Sequence, residues 1–440
     1  MGILASNTID DFVEKAYPDM IAWRRKLHQM PETGWTEYVT TWYVYNFLAE
    51  LGYTCFAGKE AVNSNERMGV PAAEFLEEAA ERATEYGVPE DMLEKMDGGH
   101  TGVVAQLTTG RPGPHIALRF DIDGLPITES EEAGHKPYDK GFLSTREGFM
   151  HACGHDAHTA IGLTVARFLA EHKDELAGSF TLLFQPAEEG SRGAKAMVEN
   201  GWLREVDAFL SGHIGIRNEK AGVMAARGVE FLATTKFDLR LHGVSAHAAA
   251  KPNEGRDALL AAAACAQTVA QIPPHPDGAI RAHIGTLQTG SGRNVVADTA
   301  FLEGETRGET SEVNKYVWKE VERRIHGAAE MHGVGAELKV VGEGVEAYCD
   351  TDFETWLETG SSASRWIERV DSEWPVQASE DAAIMINSVQ QQGGIATYML
   401  YGTALADGHH KPTFDYEEET LPVAAAALLH TISEYLHEKV

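Results

Sequence analysis

Nine consecutive residues, Met150-His151-Ala152-Cys153-Gly154-His155-Asp156-Ala157-His158, bring together three histidines, a thiol and a carboxylate. Imidazole nitrogen and thiolate sulfur are donors for Zn, Mn and related divalent ions, and a strand-to-helix loop would let several of these side chains converge. The same residues would also make a hydrogen-bonded polar helix start, and Cys153 alone would pass for a small buried apolar residue. A second group, Phe184-Gln185-Pro186-Ala187-Glu188-Glu189-Gly190, ends an apolar run in two adjacent carboxylates. Neighbours in a loop point different ways, so one glutamate could bind metal while the other serves as a general base. An exposed acidic turn is the plainer alternative. His213, in Ser211-Gly212-His213-Ile214-Gly215, and the pair in Gly408-His409-His410-Lys411-Pro412 complete the set.

Such groups need a frame. Apolar spacing predicts helices over 9–30 and 36–51, parted by Pro31-Glu32-Thr33-Gly34. Residues 74–96, rich in Glu, Ala and Leu and broken at Gly87-Val88-Pro89, predict an inserted helical pair with no evident chemistry. Short apolar runs at 103–107, 115–120, 180–184 and 208–210, with a helix at 159–171, predict an α/β sheet domain. The order strand 234–241, helix 257–271, strands 282–288 and 299–305, helix 313–332, strand 337–341 predicts a self-contained α+β layer inserted into that domain. Helices at 351–368 and 380–391, a strand at 396–401 and a helix at 418–437 complete the first domain. The expected division is therefore 1–229 and 346–440 for the first domain and 230–345 for the insertion. All four chemical groups fall where a predicted strand of the α/β sheet gives way to a loop, the usual place for a ligand site in such a sheet. Their shared position favours one metal site over four unrelated polar patches.

Composition narrows the partners. With 37 Lys and Arg against 67 Asp and Glu, the formal charge of -30 repels nucleic acid and anionic lipid. Hydrophobic residues at 43% and a length of 440 suit a folded enzyme of two domains. Four cysteines without a CxxC pair argue for a reducing compartment. The N-terminus lacks the basic and apolar regions of a secretory signal, and no apolar run could span a membrane, so a cytoplasmic location is expected. Met1-Gly2 with Ser6 matches a myristoylation pattern short enough to recur by chance. No Gly-x-Ser-x-Gly elbow is present, which leaves a serine hydrolase without its nucleophile.

Several longer motifs carry a likeness: Trp23-Arg24-Arg25, residues 63–69, Gly110-Arg111-Pro112-Gly113-Pro114 and Gly290-Ser291-Gly292-Arg293-Asn294-Val295-Val296; the insert at 58–100 is part of it too, although most of the wider branch lacks that insert. Over essentially its whole length the chain resembles the aminoacylase and carboxypeptidase metallopeptidases, in the branch containing hippurate and indole-acetyl-amino-acid hydrolases. The resemblance implies a mixed-sheet α/β/α zinc-peptidase-like catalytic domain with an inserted, ferredoxin-like α+β lid and dimerisation domain. It makes Cys153, His155, Glu189, His213 and His410 the ligands of two divalent ions, Mn or Zn, with His409 as the alternative last ligand and Glu188 as catalytic base. Asp121 and Asp123, in Arg119-Phe120-Asp121-Ile122-Asp123-Gly124-Leu125-Pro126, are expected to orient ligands rather than coordinate. In the inserted domain it implies that His247, Asn294 and Arg307 hold the substrate carboxylate and the developing oxyanion, with His247 acting across a dimer interface. The expected activity is amide hydrolysis of a small N-acyl or N-aroyl amino acid, p-aminobenzoyl-glutamate foremost, by a homodimer or by a heteromer with a homologous partner chain.

Overall fold

The computed structural model describes residues 6–440, so the myristoylation pattern at the N-terminus lies outside the described residues. The chain divides into two units. The first holds an eight-stranded mixed sheet built from β1 (Thr54–Ala57), β2 (Val103–Thr108), β3 (His115–Asp121), β4 (Ser179–Gln185), β5 (Ala208–Asn218), β6 (Val223–Val229), β11 (Arg369–Pro375) and β12 (Ile395–Thr403), in the order β1-β2-β4-β3-β5-β12-β6-β11. Its four central strands, β4, β3, β5 and β12, run parallel, so their C-terminal ends open on one edge.

Both faces of this sheet are covered, which is why β3, β4 and β12 read as nearly continuous apolar runs rather than alternating ones. Ile116, Leu118 and Phe120 of β3 pack in one cluster with Phe168 of the helix His155–Glu171 and with Leu421, Leu428 and Ile432 of the helix Thr420–Lys439. The consecutive alanines 424–427 let that last helix lie deep, every residue from Thr420 to Ser433 being buried. Arg119 and Asp121 alternate onto the other face, where Asp381 precedes the helix Ala382–Gln391. The insert forms the helices Ala73–Glu85 and Glu90–Lys95, which close a separate apolar cluster with Tyr38 and Val39.

The second unit, Glu230–Glu346 with Gln377–Glu380, is a four-stranded antiparallel sheet of β7 (Ala233–His242), β8 (Ile280–Thr289), β9 (Thr299–Gly308) and β10 (Gly335–Gly344) in the order β10-β7-β9-β8. Helices Ala258–Val269 and Ser311–His332 pack on one face through Phe237, Leu239, Leu241, Leu302, Val321 and Ile325. Asp257 caps the first helix by accepting from Leu259 and Leu260 N–H, and Thr310 caps the second at Val313 N–H. The β-α-β-β-α-β order with this strand arrangement is ferredoxin-like.

Four local expectations need correcting. The helix expected at 351–368 stops at Ser361, and the chain then forms edge strand β11, whose charged, mostly exposed residues carry no alternation to announce it. Strands β1 and β6 were not expected either; each is fixed by pairing to distant segments, β1 to β2 and β6 to β11 and β12. The strand expected to end at Leu210 continues to Asn218, which places His213 inside β5 rather than after it. Residues 377–380, expected in the first domain, group with the second unit, because Leu232 N–H donates to Ala378 O and Gln377 to Glu230. Among the described residues, no helix is long and apolar enough to cross a membrane.

Candidate metal centre and active site

The C-terminal ends of β3 and β4, the interior of β5 and the loop after β12 converge on one point. Ligand-type atoms of Cys153, His155 and His213 lie within 4.8 Å of one another, as do those of Cys153, Glu189 and His410, and those of His155, Glu188 and Glu189. Cys153, His155 and Glu189 each belong to two of these groups, so the donors form one connected cluster. Gly154, at φ 90°, turns the chain from Cys153 into the helix that starts at His155, and a Cβ there would fall 2.6 Å from Ile214.

Hydrogen bonds fix which nitrogen each histidine offers. His155 Nδ1 is 3.2 Å from Asp123 Oδ1, which makes Nδ1 the protonated atom and turns Nε2 inward, buried and without a hydrogen-bond partner. His213 Nδ1 donates to Ile214 O at 2.6 Å, again leaving Nε2 toward the site, 3.4 Å from Cys153 Sγ. His158 differs: Nδ1 donates to Asp121 Oδ1 at 2.5 Å and Nε2 accepts from Ile214 N–H at 3.1 Å. Both its nitrogens are used, so His158 supports the site without a lone pair to offer, although it groups with Asp121 and His155.

Asp123 sets the carboxylates as well as His155. Its Oδ1 accepts from Glu188 N–H at 3.1 Å and its Oδ2 from Glu189 N–H at 3.0 Å, so one side chain orients a histidine and both glutamates. Glu37 adds a brace that no motif announced: it is fully buried, accepts from Ala187 N–H at 2.8 Å and from Thr101 Oγ1 at 2.6 Å, and steadies Ala187 in its left-handed conformation, φ 53°. Burial, and then the charge of Asp123, push the Glu37 carboxyl up to about 8. Arg192 reaches from the same turn to the insert, donating to Glu189 O at 2.8 Å and Gly69 O at 3.1 Å. Beneath, Arg119 ties Asp121 at 2.7 Å, Asp381 at 3.2 Å and Gln185 at 2.8 Å.

The two C-terminal histidines separate cleanly. His410 also adopts a left-handed conformation, φ 62°, with its N–H donating to Ala152 O at 2.8 Å, and this turn brings Nε2 to 3.4 Å from Glu189 Oε1. His409 instead places Nε2 3.0 Å from Gly215 O and lies against Phe414, outside the clustered donor groups.

The donor set fits divalent cations. A thiol and the carboxylates of Asp121, Asp123, Glu188 and Glu189 are gathered in little space, and burial together with Glu189 pushes the Cys153 thiol well up. A coordinated cation would reverse that, because it would favour the thiolate of Cys153 and offset the gathered negative charge. His155 Nε2, aimed inward with no partner, is the atom such an ion would claim.

Behind the site a buried ion network locks the N-terminal helix to the core. Asp156 meets His28 Nδ1 at 2.9 Å, Arg24 at 3.3 Å and Tyr416 OH at 3.2 Å, and Glu129 meets His28 Nε2 at 2.8 Å and His135 Nε2 at 2.9 Å. Burial alone would lower the His28 pKa, but its bonds to Asp156 and Glu129 override this and raise it from 6.5 to about 9. A raised histidine stabilises fully below its unfolded pKa and loses that contribution as pH rises through the folded value. The unfolding free energy is therefore expected to fall by on the order of 3 kcal/mol between pH 6.5 and 10. Denaturant titrations would reveal this, with a much flatter profile for His28→Gln; equal slopes for both proteins would remove His28 as the cause.

His247, Asn294 and Arg307 all lie in the second unit and are brought together only in part. His247 bridges to Val295, and Ala248 N–H donates to Asn294 O at 3.0 Å, so the first two are neighbours. His247 Nδ1 accepts from the N–H groups of Ala249 and Ala250 at 3.2 and 3.1 Å, which leaves the exposed Nε2–H as a donor. Arg307, on β9, forks onto Glu305 at 2.9 and 3.2 Å.

Comparison with known proteins places this geometry in a family. A model described as peptidase family M20/M25/M40 matches residues 117–434. Indole-3-acetyl-aspartic acid hydrolase of Enterobacter agglomerans is 43% identical over 424 residues, 96% of this chain and 97% of its own. One of the subunits of p-aminobenzoyl-glutamate hydrolase from Escherichia coli is 42% identical over 428 residues, 96% of this chain and 97% of its own. A Bacillus subtilis protein whose crystal structure is described as that of a dinuclear metal binding peptidase superposes with a TM-score of 0.64 at 25% identity, covering 96% of this chain and 99% of the other. By its motif-bearing sequence, its two-unit fold and these matches, the chain is a metal-dependent amide hydrolase that belongs to peptidase family M20/M25/M40.

Proposed function

We propose that this chain cleaves the amide bond of p-aminobenzoyl-glutamate to p-aminobenzoate and glutamate with two metal ions bound by Cys153, His155, Glu189, His213 and His410. The observation that carries the reading is the convergence of these donors in one connected cluster, with Glu188 beside His155 and Glu189 and the inward nitrogens of His155 and His213 set by their outward hydrogen bonds. His410 is preferred to His409 because it faces Glu189 while His409 is bonded to Gly215. Two divalent ions, Mn or Zn, would polarise the scissile carbonyl and lower the pKa of the attacking water. Glu188, its backbone anchored to Asp123 and its side chain not needed to complete the ligand set, takes the water proton and returns it to the leaving nitrogen. His247 Nε2–H and the Asn294 amide donate to the oxyanion, and Arg307 holds the substrate carboxylate.

Indole-3-acetyl-aspartate is the second reading, because the relative named for it is as similar as the one named for p-aminobenzoyl-glutamate. Four free thiols support a reducing, cytoplasmic setting. A homodimer is supported by β8, an edge strand with exposed Leu287, and by exposed Leu259 and Leu260 on the helix Ala258–Val269. A heteromer with a homologous partner chain is the other arrangement, supported by the Escherichia coli relative, which is named as one subunit of its hydrolase.

Purified chain, stripped of metal and refilled separately with Mn and Zn, is expected to release p-aminobenzoate only when refilled, and to sediment as a dimer. Metal uptake without release would overturn the substrate, and rescue by indole-3-acetyl-aspartate would install the second reading. A monomer in sedimentation would overturn the homodimer.

A further inference from the structure

Strand register places two arginines side by side. On the second unit's sheet Arg281 of β8 stands directly across from Arg307 of β9, and directly opposed residues project from the same face. That face is the one free of helices, since Phe237, Leu239 and Leu302 alternate onto the helix-packed side. Like charges directly opposed across a strand pair repel, and this pair occurs in a chain with far fewer cations than anions, 37 against 67. Arg307 is steadied by its fork onto Glu305, whose own carboxyl is held low, against the opposing effect of burial, by the hydrogen bond and charge of Arg307. Arg281 has no such counter-charge among the described residues: it is exposed, and its one side-chain hydrogen bond runs from Nη1 to the Ile280 carbonyl. Glu305 offsets Arg307, so the charge left without a partner among the described residues is that of Arg281, beside a second guanidinium that keeps N–H groups free for a ligand.

We infer that Arg281 and Arg307 together form a two-guanidinium anchor for the two carboxylates of an acidic amino acid, so that the leaving group is a dicarboxylate such as glutamate or aspartate. Arg307 takes the α-carboxylate, as in the proposed function on which this rests, and Arg281 takes the side-chain carboxylate and sets specificity. The planar forks of arginine suit this use, as each can bind a carboxylate through two parallel N–H bonds. The two relatives compared above are named for glutamate and aspartate conjugates with different acyl groups, which is what selection at the amino acid end would produce.

The test separates binding from turnover. Metal-loaded Glu188→Gln protein is titrated calorimetrically with p-aminobenzoyl-glutamate and with p-aminobenzoyl-glutamine, which keeps the α-carboxylate but replaces the second with a neutral amide. The glutamate compound is expected to bind on the order of 50-fold tighter, and Arg281→Ala on the same background to erase most of that preference while changing the glutamine compound little. Arg281→Lys should retain part of it. No preference in the parent protein, including no binding of either compound, or equal weakening of both by Arg281→Ala, would overturn the anchor. Hydrolysis by the unsubstituted chain, scored separately, decides the proposed function: turnover without the preference sinks the anchor alone.

Discussion

Glu188→Gln is expected to lower kcat on the order of 10³- to 10⁴-fold while the protein keeps both metal ions and its fold. The substitution preserves shape and leaves the Glu188 N–H bonded to Asp123, so the turn that carries Glu189 is undisturbed. On the proposed reading, what disappears is the carboxylate oxygen that takes a proton from water and delivers it to the leaving nitrogen. The competing assignment is specific, because Glu188, Glu189 and His155 also form a compact donor group, with Glu188 Oε2 4.0 Å from His155 Nε2. Metal analysis alongside steady-state kinetics distinguishes the two. Turnover lost with full metal content makes Glu188 the base; turnover and metal lost together would make it a ligand.

Asp123→Ala is expected to damage the site nearly as much without removing a ligand. Three donors converge on this carboxylate: His155 Nδ1–H and the N–H groups of Glu188 and Glu189. Each buried donor left without an acceptor costs about 1–3 kcal/mol. The His155 ring also loses the bond that fixes its tautomer, for which a drop in metal affinity of about 10- to 100-fold is typical. Thermal denaturation and competitive metal titration would register both effects. Asn is expected to rescue poorly, since its amide NH₂ would face one of the backbone donors it must accept from. Unchanged metal affinity in Asp123→Ala would mean that packing alone holds His155.

Other parts of the molecule differ in how plainly the chain announces them. The run Met150–His158 and the Glu188-Glu189 pair were legible because residue type and local order identify them, the helix at 9–30 because its apolar positions recur at helical spacing, and the helix at 418–437 because of its long run of Ala and Leu, buried on every side. The βαββαβ order of the insertion followed from the same alternation of periods. Strand β11 escaped because an edge strand facing solvent carries charges and no stripe, and β1 and β6 because their order comes from distant partners.

Local pattern determined which residues could do chemistry and which segments could fold, since both depend on neighbours a few positions away. Tertiary structure decided how they are used. Which of His409 and His410 faces Glu189 depends on a left-handed turn pinned to Ala152. Which nitrogen of His155 points inward depends on Asp123, and why His158 is spent depends on Ile214. Glu37 meets Ala187 across 150 residues of chain, and Arg281 meets Arg307 only through the register of two strands. Each is a contact between residues far apart in sequence, whose geometry is set by the packing of the whole sheet and leaves no periodic trace in the chain itself.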